Sequence, residues 1–215
     1  MSNLDSWMPN NEEYLAKALT WLRWRLREFA QLPDTEISEV TEKPTTEEVN
    51  PLPALILLSQ KLGLSDFEEE ILLLCVAMEL DPGMARLCAK AQDNAHQPYP
   101  TFALALSLFD EPAWDALSWE RPLRYWRLIE IHQSGVQPLT SSGLRVDERV
   151  LNYIKGLNSL GDRLASLVMP LETEEWDLTL PALKRRGFLN LRHNLLLQVC
   201  TNKSRGFISA SVAYV

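Results

Sequence analysis

Near the start of the chain, apolar residues recur at alternating steps of four and three. Leu15, Leu19, Leu22, Leu26 and Phe29 fall on one stripe, which predicts an amphipathic helix over 10–31. Arg23, Arg25, Arg27 and Glu28 lie mostly off that stripe. The period then vanishes in "LPDTEISEVTEKPTTEEVNPLP", an acidic stretch rich in Thr and Pro that reads as a linker or surface loop. Beyond it, "PALILLSQKLGL" predicts a short helix stopped at Gly63. Ser65 with Glu68 three residues on has the form of a capping box, opening a helix over roughly 66–80. That helix is apolar nearly all round through "ILLLCVAMEL" and is expected to be central and buried.

After the turn "DPG" come a helix from Met84 to about Gln92 and another in "TFALALSLF", with Thr101 as its cap. A short helix near "EPAWDALS" follows. The pattern then changes: "WRLIEIHQSGVQPLTSSGLRV" reads as two strands joined by a loop, and Asp147 caps a last helix, "ERVLNYIKGL". This predicts a mainly α fold with a small β-hairpin, the outline of a winged-helix domain preceded by an amphipathic N-terminal helix. The same order also fits a helical bundle with an appended hairpin. The expected organisation is an N-terminal helix (1–31), a linker (32–52), a winged-helix domain (53–161), and a C-terminal helix and basic tail (162–215).

Charge adds one feature to this picture. The net charge is −8 over 215 residues, yet after Leu180 there are six basic residues and no acidic one. That tail, with "LKRRGF" at its head, reads either as a binding segment or as a terminus of different origin, truncated or out of frame. The N-terminus has no signal-peptide pattern, and the longest apolar run, Ile71 to Met78, is far short of the ~20 residues a membrane span needs. Cys75, Cys88 and Cys200 are widely spaced and read as reduced thiols. A cytoplasmic protein without a membrane span is expected.

Four segments in this order, "LGLSDFEEEILLLCVAMELDPGMARLCAKAQ", "YPTFALALSLF", "PLRYWRLIEI" and "LRVDERVLNYIKG", carry a family resemblance. Together they resemble the N-terminal winged-helix region of bacterial AAA-type ATPases, including those encoded with phage-tail-like contractile injection systems. The resemblance covers residues 53–161 and implies a winged-helix module that normally precedes an ATPase core. No G-x-x-x-x-G-K-[ST] loop occurs in these 215 residues, so no ATP hydrolysis is expected of the chain. The nearest approach, "GLNSLGDR" (156–163), has Asp162 where phosphates need a cation, and a helix rather than a strand precedes it. Gly156 is the natural end of that helix.

Other chemistry finds little support. His96, His132 and His193 stand far apart, so no metal is expected, and no cofactor. Glu68, Glu69 and Glu70 suit a helix N-terminus better than a catalytic pair. No serine or cysteine lies in a nucleophile pattern. For nucleic acid, the candidate contacts are Arg86 and Lys90, or Arg121, Arg124 and Arg127 around Tyr125 and Trp126. The competing reading sends Leu123, Trp126 and Leu128 into the core and the arginines to carboxylates such as Asp110, Glu111 and Asp115. For protein contact, Trp7, Trp21 and Trp24 are the candidates, unless they pack on the domain. The resemblance implies a non-catalytic module that recruits or positions an ATPase on an assembly, with an ATPase or injection-system component as partner. The alternatives are a DNA-binding regulator and the regulatory fragment of an active ATPase.

Overall fold

The computed structural model describes residues 3–33, 42–44, 51–133 and 135–157, and the residue pairs 171–172 and 208–209, which form a short antiparallel ladder. The expected helix beyond Gly161, the basic tail, Cys200 and His193 lie outside the described residues, apart from those two pairs, as does most of the linker.

Seven α-helices and one hairpin organise the described residues. The first helix, α1, spans Asn3–Phe29 and so begins well before the expected start, running through Pro9. The apolar stripe is nearly as read: Leu15, Leu22 and Leu26 are buried and Leu19 is half-buried. Phe29 is the exception at 40% exposed, because α1 ends there and the chain turns away through Gln31 at φ 52°. Trp7, Tyr14, Ala18 and Trp21 widen the buried face. Helix α1 packs on α3, α4 and α5 and shares one apolar core with them.

Helix α2 (Ala54–Leu62) ends at Gly63, whose φ of 70° is the left-handed conformation that costs glycine nothing. Helix α3 (Asp66–Leu80) starts on the complete capping box: Glu68 N donates to Ser65 Oγ at 3.3 Å, and Ser65 N donates to Glu68 Oε2 at 3.0 Å. Ten of its residues are buried, from Phe67 to Ala77, which makes it the central helix. Helix α4 (Met84–Ala91) packs against α1 and α3. Helix α5 (Phe102–Leu108) is capped by Thr101, whose Oγ1 accepts from Leu104 N at 3.0 Å.

A 3-10 turn, Trp114–Leu117, and the single turn of α6, Pro122–Tyr125, lead into strand β1, Ile129–His132. Strand β2 (Gly143–Val146) pairs with it antiparallel, Ile129 opposite Val146 and Ile131 opposite Leu144. Those four positions turn toward the core while Glu130 and Arg145 point out, the alternation a one-faced ribbon requires. A third strand is reduced to one rung: Thr101 bridges Gly143, and Leu144 N donates to Pro100 O at 2.9 Å. Helix α7 (Glu148–Ile154) is capped by Asp147 and terminated at Gly156, φ 79°. There Gly156 N donates to Tyr153 O and Leu157 N to Asn152 O, the paired bonds of a Schellman motif. Gly156 thus closes a helix; Gly161, Asp162 and Arg163 lie outside the described residues.

Candidate functional site

The basic residues singled out in the sequence take two different places. Arg86 and Lys90 sit one turn apart on the outer face of α4, both exposed, while Met84, Leu87 and Cys88 hold the inner face. Gln92, just after them, is turned inward. Its Nε2 reaches Cys88 O, Gln97 O and Tyr99 O, and its Oε1 accepts from Thr101 Oγ1 at 2.8 Å. It clamps the loop that delivers α5.

Two of the three arginines around α6 are engaged inside the protein. Arg121 Nη2 lies 2.8 Å from Oε2 of Glu68, a side chain with no solvent exposure, and its Nε is 3.4 Å from Asp115. Arg124 Nη1 donates to Leu117 O at 2.6 Å. Arg127 is exposed at a turn of φ 52°. Leu123 and Leu128 are fully buried, and Trp126 packs partly against the core. Asp110 pairs instead with Arg25 of α1, at 2.7 Å.

The tryptophans of α1 also point inward. Trp21 is buried and stacks on Phe109, ring centres 6.3 Å apart and planes 13° from parallel. Trp7 is buried with Nε1 donating to Leu52 O at 3.0 Å, and Trp24 is partly buried against the same core. Trp7 and Trp21 are therefore packing residues and not an open contact face, because α1 buries the face that carries them.

The exposed indoles are elsewhere. Trp114 is 68% exposed and Trp119 64%, both on the segment between α5 and α6. The same stretch carries Asp110, Glu111, Asp115 and Glu120, with no Lys or Arg from 110 to 120. The segment is pinned at both ends. Arg25 Nη2 donates to Leu108 O at 2.8 Å, Arg121 faces Asp115, and Ala116 and Leu117 insert into the core. The pattern "DEPAWDALSWE" was readable in the sequence, but the helical reading of it gave no reason to turn its indoles outward.

A cleft of about 410 Å³ lies between α3, the Tyr99–Pro100 segment and the hairpin. Cys75, Met78, Tyr99, His132 and Leu144 line it, as do Glu79 and Arg145, which pair through Arg145 Nε at 3.0 Å. Burial pushes the Cys75 thiol well above its ordinary range, so it stands there as a neutral apolar group, not as a nucleophile. Among the described residues no cluster of His, Cys, Asp and Glu is arranged to hold a metal, and no helix is long and apolar enough to cross a membrane.

The architecture defines the class. Helices α5 and α6, separated by residues 109–121, precede an antiparallel hairpin whose second strand is bridged by the residue capping α5, which is the element order of a winged helix. The sequence model of the family described as "Winged helix domain, variant" matches residues 25–168, and the chain belongs to that family. No curated protein and no solved structure matches it.

Helix-turn-helix modules that read DNA place the second helix of the pair in the major groove and surround it with cations. Here that helix, α6, is a single turn, and Arg121 and Arg124 beside it bond within the domain. The wing from Gln133 to Ser142 contains no Lys or Arg, and residues 53–157 carry nine Lys and Arg against fourteen Asp and Glu.

Proposed function

We propose that this winged-helix domain is a non-catalytic protein-recognition module. In the finer reading, it positions an AAA-type ATPase or docks it on a component of a larger assembly. The observation that carries the proposal is the segment joining the helix pair. In the stretch directly before α6, the helix that a DNA reader would insert, Trp114 and Trp119 are exposed, and the same stretch carries four carboxylates and no cation in its sequence. Exposed tryptophan is the side chain most enriched at energetically important protein contacts, whereas clustered carboxylates repel phosphate. The ATPase half of the reading rests on the resemblance of residues 53–161 to the region preceding such motors.

The competing reading is duplex binding through Arg86 and Lys90, favoured by their outward placement on α4. Two experiments separate them. The immobilised full chain is expected to retain an AAA-type ATPase or assembly protein encoded beside it, and to leave a labelled DNA duplex unshifted at low ionic strength. A duplex shift that weakens steeply with added salt would overturn the protein reading in favour of the DNA one.

A further inference from the structure

We infer that the Trp114–Trp119 segment is a docking surface for an arginine- or lysine-rich stretch of a partner protein. This rests on the protein-recognition reading above and names the chemistry of the partner. Two independent features converge on a cationic occupant. Tryptophan offers the strongest aromatic face for a guanidinium or ammonium group, and the two indoles are 68% and 64% exposed. The segment is also purely acidic: Asp110, Glu111, Asp115 and Glu120 lie within it and no basic residue does. Asp110 and Asp115 are partly neutralised by Arg25 and Arg121, but among the described residues Glu111 and Glu120 make no ion pair. They are the carboxylates left to meet an incoming cation.

The segment is also preorganised. Arg25 fixes its start through Leu108 O and Asp110, Arg124 holds Leu117 O, and Ala116 and Leu117 are buried. The backbone that carries the indoles is thus anchored before a partner arrives, which limits the ordering entropy that opposes binding. A single-stranded nucleic acid would also stack on indoles, but its phosphates would meet four carboxylates, of which Arg25 and Arg121 offset only two.

The test uses the full chain and fluorescence anisotropy with three labelled probes: an arginine–glycine peptide, a glutamate–glycine peptide, and a single-stranded oligonucleotide. The arginine peptide is expected to bind with an affinity that falls as salt rises, and the other two not to bind. Trp114→Ala and Trp119→Ala are each expected to weaken binding about threefold, and together about tenfold. Glu111→Lys with Glu120→Lys is expected to abolish it. Both indoles are exposed, so these variants fold. Absence of arginine-peptide binding, or binding indifferent to both tryptophans, overturns the inference, as does preferential binding of the oligonucleotide. A further variant, Lys184→Gln/Arg185→Gln/Arg186→Gln, addresses the chain's own basic segment. If the probe binds only that variant, the occupant is internal and the partner inference falls. If the probes fail but the ATPase or assembly protein is still retained equally by the tryptophan variants, this inference falls while the protein-recognition reading stands.

Discussion

Arg121 Nη2 donates to Glu68 Oε2 across 2.8 Å, and joins the segment before β1 to the first turn of the central helix. Glu68 has no solvent exposure, and the same oxygen accepts from Ser65 N and Ser65 Oγ. One carboxylate therefore caps α3 and anchors the α6 turn together. Removing the guanidinium leaves a buried charge supported only by neutral donors. Arg121→Ala is expected to cost about 2–3 kcal/mol, with Arg121→Lys recovering part of it. Urea unfolding at constant m-value measures this, and a loss below about 0.5 kcal/mol would show that the pair is not needed.

Asn11 joins three elements. Its Nδ2 donates to Ile154 O at 2.9 Å and its Oδ1 accepts from Ala54 N at 2.8 Å, both in buried surroundings. It thereby satisfies a carbonyl at the end of α7 and an N–H at the start of α2. Asn11→Ala strands both groups and is expected to cost about 3 kcal/mol. Asn11→Asp is expected to rescue little, since a carboxylate repels Ile154 O. Full stability in the Asp variant would mean that the Ile154 bond contributes nothing.

Gly156 and Gly63 both occupy left-handed backbone, at φ 79° and 70°, but their surroundings differ. A Cβ at Gly63 meets nothing within 4 Å, whereas one at Gly156 would lie 2.7 Å from Met8 Sδ and 2.8 Å from a ring carbon of Trp7. Gly63→Ala is expected to cost about 1 kcal/mol from backbone strain alone. Gly156→Ala is expected to cost about 2–3 kcal/mol, and adding Met8→Ala should relieve part of the excess. Equal losses at the two glycines would remove the close approach of α1 as the cause.

Asp81 links the turn after α3 to α1. Burial works to raise its pKa, but hydrogen bonds from Arg23 and from Gly83 N, with the Arg23 charge, outweigh it and hold the carboxyl below its ordinary value. A depressed folded-state pKa means stability present above the unfolded value and lost as pH falls through the folded one. Wild type is therefore expected to exceed Asp81→Asn in stability near neutrality. The gap should narrow below the ordinary aspartate pKa of about 3.9. Thermal unfolding of both proteins across that range measures it; a gap that persists unchanged into strong acid would assign the effect to packing.

Trp21→Ala and Trp119→Ala should separate packing from surface tryptophan. Trp21 is buried against Phe109, so its loss is expected to cost about 3–5 kcal/mol. Trp119 is exposed, so its loss should change stability by less than about 0.5 kcal/mol. Comparable losses in calorimetry would mean that Trp119 packs in solution and is not available for docking.

The sequence by itself determined the local architecture. Ser65 and Glu68, Thr101, Asp147, Gly63 and Gly156 are start and stop signals whose effect needs only neighbours along the chain, and each element they bound is present. The apolar run of α3 likewise announced the centre of the core, since a helix without a polar face has nowhere else to go. Tertiary structure decided which side chains remain available. Periodicity gave no sign that α1 begins at Asn3 or that Asn11 bonds to residues 43 and 143 positions away. Nor did it show that Trp7 and Trp21 turn inward while Trp114 and Trp119 turn out. An indole has the same sequence signature in a core and on a surface. Only the approach of another element, here α1 across α3, α4 and α5, removes one from water and leaves the other exposed. The arginines follow the same rule: their charge is written in the chain, but whether it meets Glu68 or a partner is settled by what folds against it.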